Sequence, residues 1–199
     1  MDKDFMVIRN IILASQSPRR KQLLEWAEIS FSIKVLHTDE HYPDTLSIED
    51  VPGYIANKKA TIVWQSLTDN EKENAIVIAA DTVVVLDNEI IGKPTDRNDA
   101  IAILTKLSGN KHRVITGVSI HSKEGIHTFY DVTFVQFHPL TKDQIEFYVD
   151  EYKPYDKAGA YAIQEWIGVT GIHSIEGDFY NVMGLPISRV VKQLNMLTN

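Results

Sequence analysis

The chain has 199 residues, a formal net charge of −7 and no cysteine. That length suits one large domain or two small lobes sharing a core, and 44% hydrophobic with 24% charged residues is ordinary for a soluble globular enzyme and excludes a disordered chain. The acidity argues against a binder of nucleic-acid polymer, and the lack of cysteine excludes disulfides and thiolate metal sites and agrees with a cytoplasmic location.

Met1-Asp2-Lys3-Asp4-Phe5-Met6 carries acids and no long apolar stretch, so no secretory signal is expected. No segment approaches the ~18 apolar residues of a membrane span. Val7 to Ala14 reads as a buried strand and Ser15-Gln16-Ser17 as a loop. Pro18 opens a helix to about Ala27, with Ser17 as its N-cap. Phe31 to Leu36 alternates like a strand, Thr38 to Thr45 is a polar loop, and Ile48 to Leu67 predicts a helix with Ser47 as cap and Pro52 in its first turn.

Ala75 to Leu86 is the clearest strand; Asp87-Asn88 turns it back into Glu89 to Ile91 as a hairpin. A helix follows from Asp96 to Leu107 and stops at Ser108-Gly109-Asn110. Three further strands are expected at His112 to Ser122, Ile126 to His138 and around Ala160 to Gln164. Thr141 caps a helix from Lys142 to about Asp150, and Ile187 to Leu197 forms the last. The mixture lacks strict βαβ alternation, so the expected class is α/β with a mixed sheet.

Three segments carry candidate chemistry. In Ser15-Gln16-Ser17-Pro18-Arg19-Arg20, two arginines stand where a helix begins, the end that favours anions over cations. A polyphosphate would offset that cost, because guanidinium forks match phosphate oxygens; a solvated basic turn accounts for the pair equally well. In the strand, Asp81 shares a face with Val77, Ala79, Val83 and Val85. A carboxylate there needs a partner or a cavity, which suits a general base or a metal ligand, or else an acid paired with a nearby lysine. In Gly92-Lys93-Pro94, Pro94 stiffens the turn and Lys93 is placed to return toward Asp81; the Lys58-Lys59 pair adds positive charge, although such a lysine pair is commonly just a solvated helix face. The third segment, Tyr155 to Gln164, is rich in small residues that admit close backbone approach. Gln164 offers an amide donor and acceptor to match the N3–H and carbonyl of uracil or thymine; by composition alone it is a surface residue on a tightly packed sheet. Glu176-Gly177-Asp178 and Gly184-Leu185-Pro186 read as turns without chemistry of their own, and His37 and His41, though four apart, lie in a polar loop and lack the glutamate between them at the zincin position.

Taken in order, Ser15-Gln16-Ser17-Pro18-Arg19-Arg20, Ala80-Asp81-Thr82-Val83-Val84, Gly92-Lys93-Pro94, Leu107-Ser108-Gly109, Thr116-Gly117-Val118, Asp156-Lys157-Ala158-Gly159-Ala160-Tyr161 and Gly184-Leu185-Pro186 resemble the Maf family of septum-formation-inhibitor-like nucleotide pyrophosphatases. The resemblance implies one domain over residues 7–197, with a mixed twisted sheet, flanking helices and an active-site cleft between two lobes, as in inosine-triphosphatase-like folds. It implies hydrolysis between the α- and β-phosphates with a divalent cation, Mg²⁺ or Mn²⁺, and a homodimer. It assigns Asp81 as proton acceptor and places Glu40 and Lys59 beside the phosphates; the mechanism expected from these residues has Glu40 and Asp81 holding the metal and Arg19, Arg20, Lys59 and Lys93, with Ser15, binding the substrate. Thr82 and Gln164, with Arg19, tune specificity, and their pattern is similar to the dTTP/UTP subgroup. Ala162 stands where the family frequently has glycine, and Glu165-Trp166-Ile167-Gly168 replaces a shorter, glycine-rich continuation.

Two other classes share some of these features. A nucleotidyltransferase also starts with a strand, basic loop and helix, but its loop is glycine-rich and Ser15-Gln16-Ser17-Pro18 has no glycine. A non-enzymatic nucleotide-binding regulator of cell division would have no need of Asp81.

Overall fold

The structure, a computed structural model, describes residues 9–197. The Val7 and Ile8 part of the expected first strand lies outside the described residues. Seven strands form a mixed sheet in the order β2-β1-β3-β5-β6-β7, with β4 paired to β3. They are β1 (Asn10–Leu13), β2 (Ser32–Ile33), β3 (Ala75–Leu86), β4 (Glu89–Ile91), β5 (Lys111–Ser122), β6 (Gly125–Phe137) and β7 (Ile172–Glu176). The helices are α1 (Pro18–Trp26), α2 (Val51–Gln65), α3 (Asp69–Lys72), α4 (Arg97–Leu107), α5 (Lys142–Tyr152), α6 (Trp166–Gly171), α7 (Phe179–Val182) and α8 (Ile187–Met196).

The residues group into two compact units. The first holds residues up to Asp81, Thr116–Tyr130 and Gly184 onward; the second holds Thr82–Ile115 and Asp131–Met183. In the first unit β1 runs parallel to β2 and β3, with Leu13 opposite Ile33 and Ile78. Helix α2 covers this part of the sheet, its Ala60 and Val63 packing with Ile12, Ala14, Val77 and Ala79. A Cβ on Gly117 of β5 would lie 2.1 Å from the Gly53 nitrogen, so only glycine lets the strand backbone approach the start of α2 this closely.

In the second unit β3 turns into β4 through Asp87 and Asn88, both with positive φ (49° and 63°). This is the primed two-residue turn that matches strand twist, and Asx residues tolerate it. Helices α4 and α5 pack on each other, joined at the surface by a two-point Arg97–Asp150 ion pair. Leu104, Leu107, Phe137, Tyr148 and Ile167 are fully buried in this unit.

Several expectations need correction. The strand expected over Phe31 to Leu36 forms only at Ser32–Ile33. The one expected around Ala160 to Gln164 is instead a 3₁₀ turn at Ala158–Ala160 followed by a tight turn into α6, and the strand falls later, at β7. Positive φ at Gly159 (70°) and Ala160 (56°) breaks the extended run. Ser17 stands at the N-cap position of α1 but makes no capping bond; its own N–H donates to Ser15 Oγ. Ser47 caps the turn before α2, exchanging bonds with Asp50, which takes the N-cap position. Helix α3 lies in a stretch read as connection.

Candidate active site

The polar residues of the first unit gather where β1 ends. Its hydrogen bonds with β3 stop with Ala14 N–H donating to Ile78 O (2.8 Å), whereas β3 continues to Leu86. In parallel sheets the carboxyl ends of strands are where ligands bind. The Ser15 loop turns into α1 there, and Asp81 lies three residues beyond Ile78 on β3. Asp81 and Thr82 are the two residues of that strand that are not buried.

Strand parity puts Asp81 on the face of Val77 and Ala79, the face that α2 covers. Lys59 immediately precedes Ala60 on α2, so its side chain meets the acid. Lys59 Nζ lies 2.7 Å from Asp81 Oδ1 and 2.7 Å from Glu40 Oε1. The side chains of Lys59 and Asp81 are only 19% and 15% exposed, so this pair is screened far less than a surface bridge. Glu40 reaches Lys59 from the polar loop. That loop is pinned by Lys58, whose Nζ donates to His41 O (3.0 Å) and pairs with Asp39 (3.5 Å). Asp39 accepts from His41 N–H, which holds its carboxyl below the usual range.

Arg19 and Arg20 occupy the first turn of α1, both half-buried. Arg20 Nε donates to Gly184 O (2.7 Å) and its Nη1 to the buried Ser15 Oγ (3.2 Å). Burial lowers the Arg20 pKa; Asp81 and Glu40 oppose that pull and Arg19 adds to it. The solvated-turn reading therefore fails for Arg20, which is tied into the molecule on two sides.

In the second unit Thr82 is half-buried, and Lys93 and Gln164 are exposed. Gly159 N–H donates to Gly92 O (3.0 Å), which ties the small-residue run to the turn that carries Lys93. Tyr161 and His112 are buried and share a hydrogen bond of 2.8 Å. Burial pushes the Tyr161 pKa up and pulls that of His112 down to about 4, the latter against the Asn110 backbone.

Sequence reasoning missed three contributions to these arrangements. Gly184 supplies a carbonyl to Arg20 from a turn read as inert; a backbone acceptor leaves no mark in the sequence. Lys58, read as solvated, holds the Glu40 loop. Tyr148 and His112 anchor the small-residue run through hydrogen bonds with Ala162 N–H and the Tyr161 hydroxyl, and nothing in the sequence around either one marks that contact.

Among the described residues no three or more His, Asp or Glu converge on a metal position. Glu40 and Asp81 nonetheless contact the same ammonium, so their oxygens lie no farther apart than those two contacts end to end. Two carboxylates suit a hard cation such as Mg²⁺, which completes its shell with water and phosphate oxygens.

These features define a class: an α/β protein with two arginines at a strand-to-helix turn and a lysine-bridged pair of carboxylates. A sequence profile described as Maf-like protein matches residues 10–197. The chain belongs to the Maf family. It is 47% identical to a dTTP/UTP pyrophosphatase of Cytophaga hutchinsonii, over 96% of this chain and 85% of that one. It is 46% identical to a protein of the same name from Bacteroides fragilis, over 94% and 95%. Among solved structures, the Staphylococcus aureus Ham1 protein matches with a TM-score of 0.43 at 16% identity, covering 65% of this chain and 72% of that one, which is too slight to carry an argument. No helix among the described residues is long and apolar enough to cross a membrane.

Proposed function

We propose that this chain is a nucleoside triphosphate pyrophosphatase that hydrolyses dTTP and UTP to the monophosphate and pyrophosphate. One observation carries the reading: Asp81, the acid within an apolar strand, meets Lys59 at 2.7 Å, and Lys59 also meets Glu40. Cations and carboxylates packed together at the end of a parallel strand suit phosphoryl chemistry, which depends on positioning and charge stabilisation. The names of the relatives give the substrates.

In this reading Arg19, Arg20, Lys59 and Lys93 hold and neutralise the triphosphate, with Ser15 fixing Arg20. Asp81 accepts a proton from the attacking water. Glu40 and Asp81 would hold a divalent cation, which polarises the phosphate when bound. Thr82 and Gln164 select the base. A cytoplasmic homodimer acting on the nucleotide pool completes the proposal. The test is kcat/KM for dTTP, UTP, CTP and GTP with Mg²⁺ and with Mn²⁺. The first two should lead with either metal; a lead for GTP or no turnover on any of the four would overturn it.

A further inference from the structure

The turn that presents Gln164 is bonded at both ends to one buried tyrosine hydroxyl. Tyr148, on α5, is fully buried. Its Oη accepts the Ala162 N–H at 3.1 Å and donates to the Glu165 carboxylate. These two residues flank Ile163 and Gln164, so one group grips both ends of the turn. Glu165 N–H also donates to Ala162 O (3.1 Å), closing the loop. Beyond it, a Cβ on Gly168 would lie 1.7 Å from Ile163 O, so α6 packs directly against the turn backbone. Glu165 additionally faces Lys157 Nζ (3.6 Å), whose nearer partner is Asp156 (2.8 Å).

An exposed glutamine on a free turn samples many orientations, and an amide whose donor and acceptor exchange places cannot tell uracil from cytosine. A turn fixed at both ends limits those orientations before substrate arrives, and such preorganisation is what converts a contact into discrimination.

We propose that Tyr148 and Glu165 are positioning residues for base selection: the Ala162–Tyr148–Glu165 relay fixes the turn from which Gln164 reads the base. The inference rests on the proposed role of Gln164. Tyr148→Phe keeps the ring and deletes the relay. It should raise KM for dTTP and UTP about tenfold, change kcat less, and narrow their lead over CTP by a similar factor, the scale of one well-placed hydrogen bond. Glu165→Ala should do the same, whereas Glu165→Gln retains an acceptor for the tyrosine hydroxyl and should keep the wild-type ranking. A role in stability alone would lower the melting temperature without moving the ratio of dTTP to CTP.

The experiment measures that ratio for wild type, Tyr148→Phe, Glu165→Ala, Glu165→Gln and Gln164→Ala. A narrowed ratio in Tyr148→Phe, Glu165→Ala and Gln164→Ala, with rescue in Glu165→Gln, supports the proposal. A narrowed ratio in Gln164→Ala alone overturns it and leaves the base-reading role of Gln164 standing. An unchanged ratio in Gln164→Ala overturns both. Glu165→Gln behaving like Glu165→Ala also overturns the relay. If Tyr148→Phe does not fold, the two Glu165 variants decide.

Discussion

Lys59 and Asp81 meet at 2.7 Å although 22 residues separate them, because α2 lies across the face of β3 that carries the acid. The carboxylate thereby has a partner, and 15% of its side chain stays exposed.

Asp81→Asn preserves the shape of that carboxylate and removes its basicity. Lys59 keeps Glu40 and an amide oxygen as partners, so the fold should survive. Turnover should fall by roughly 10²–10⁴, the usual worth of a general base. Near-wild-type turnover from a folded, purified variant would remove Asp81 from the mechanism.

Lys59→Met should separate two properties that usually move together. The ammonium lies against Glu40 and Asp81, the two carboxylates proposed to hold the divalent cation. Without it, binding of Mn²⁺ to the nucleotide-free protein should tighten on the order of tenfold, since an opposing charge is gone from a poorly screened position. kcat/KM for dTTP should nevertheless fall by roughly 10²–10³, because the phosphates lose a cation. Mn²⁺ titration followed by electron paramagnetic resonance reads the first, and steady-state kinetics the second. Unchanged or weaker Mn²⁺ binding would mean that the metal does not use these two carboxylates.

Arg20→Lys tests whether the guanidinium fork matters beyond its charge. Arg20 reaches Gly184 O and Ser15 Oγ from different nitrogens, and a lysine cannot span both. Stability should drop by about 1–2 kcal/mol in urea unfolding. Affinity for the triphosphate should weaken much more than affinity for dTMP, measured by calorimetry. Equal weakening for both nucleotides would point to a general structural defect.

His112 makes stability sensitive to acid. Its folded pKa is held near 4 by burial, below the ~6.5 of an exposed imidazole. Above about pH 6.5 both states are neutral and the contribution is fully present. As pH falls from there toward 4, the unfolded chain takes up a proton that the folded chain refuses, so stability declines. At about pH 5 the loss from this residue is about 2 kcal/mol. Burial lowers the pKa of His121 as well, so it acts in the same direction. Urea unfolding at about pH 7.5 and pH 5 should show a smaller acid loss in His112→Gln than in wild type. Equal losses would show that His112 is not the source.

The sequence made some of this legible and hid the rest, for identifiable reasons. The Val- and Ile-rich run and its Asp87-Asn88 turn gave β3 and β4 with their observed ends. Thr141 with Gln144 forms the capping box that opens α5. The same signature at Thr68 and Glu71 opens α3, but a four-residue helix has no apolar period to draw attention to it. Ala160 to Gln164 alternates small and large side chains like a strand, and only the left-handed backbone at Gly159 and Ala160 shows that it is not one. Asp81 stood out because a carboxylate in an apolar strand is costly. Its partner did not, because Lys58-Lys59 resembles any solvated helix face until the packing of α2 is known. The Arg20 contact with Gly184, 164 residues away along the chain, depends on a backbone carbonyl and has no sequence signature at all.

The central claim is the bond that is cut. Phosphorus-31 NMR of dTTP incubated with the purified protein and Mg²⁺ or Mn²⁺ identifies it directly. Cleavage between the α- and β-phosphates yields dTMP and pyrophosphate as the first products, in equal amounts, and this is the expected result. Appearance of dTDP and orthophosphate, or persistence of intact dTTP with either metal, would contradict it.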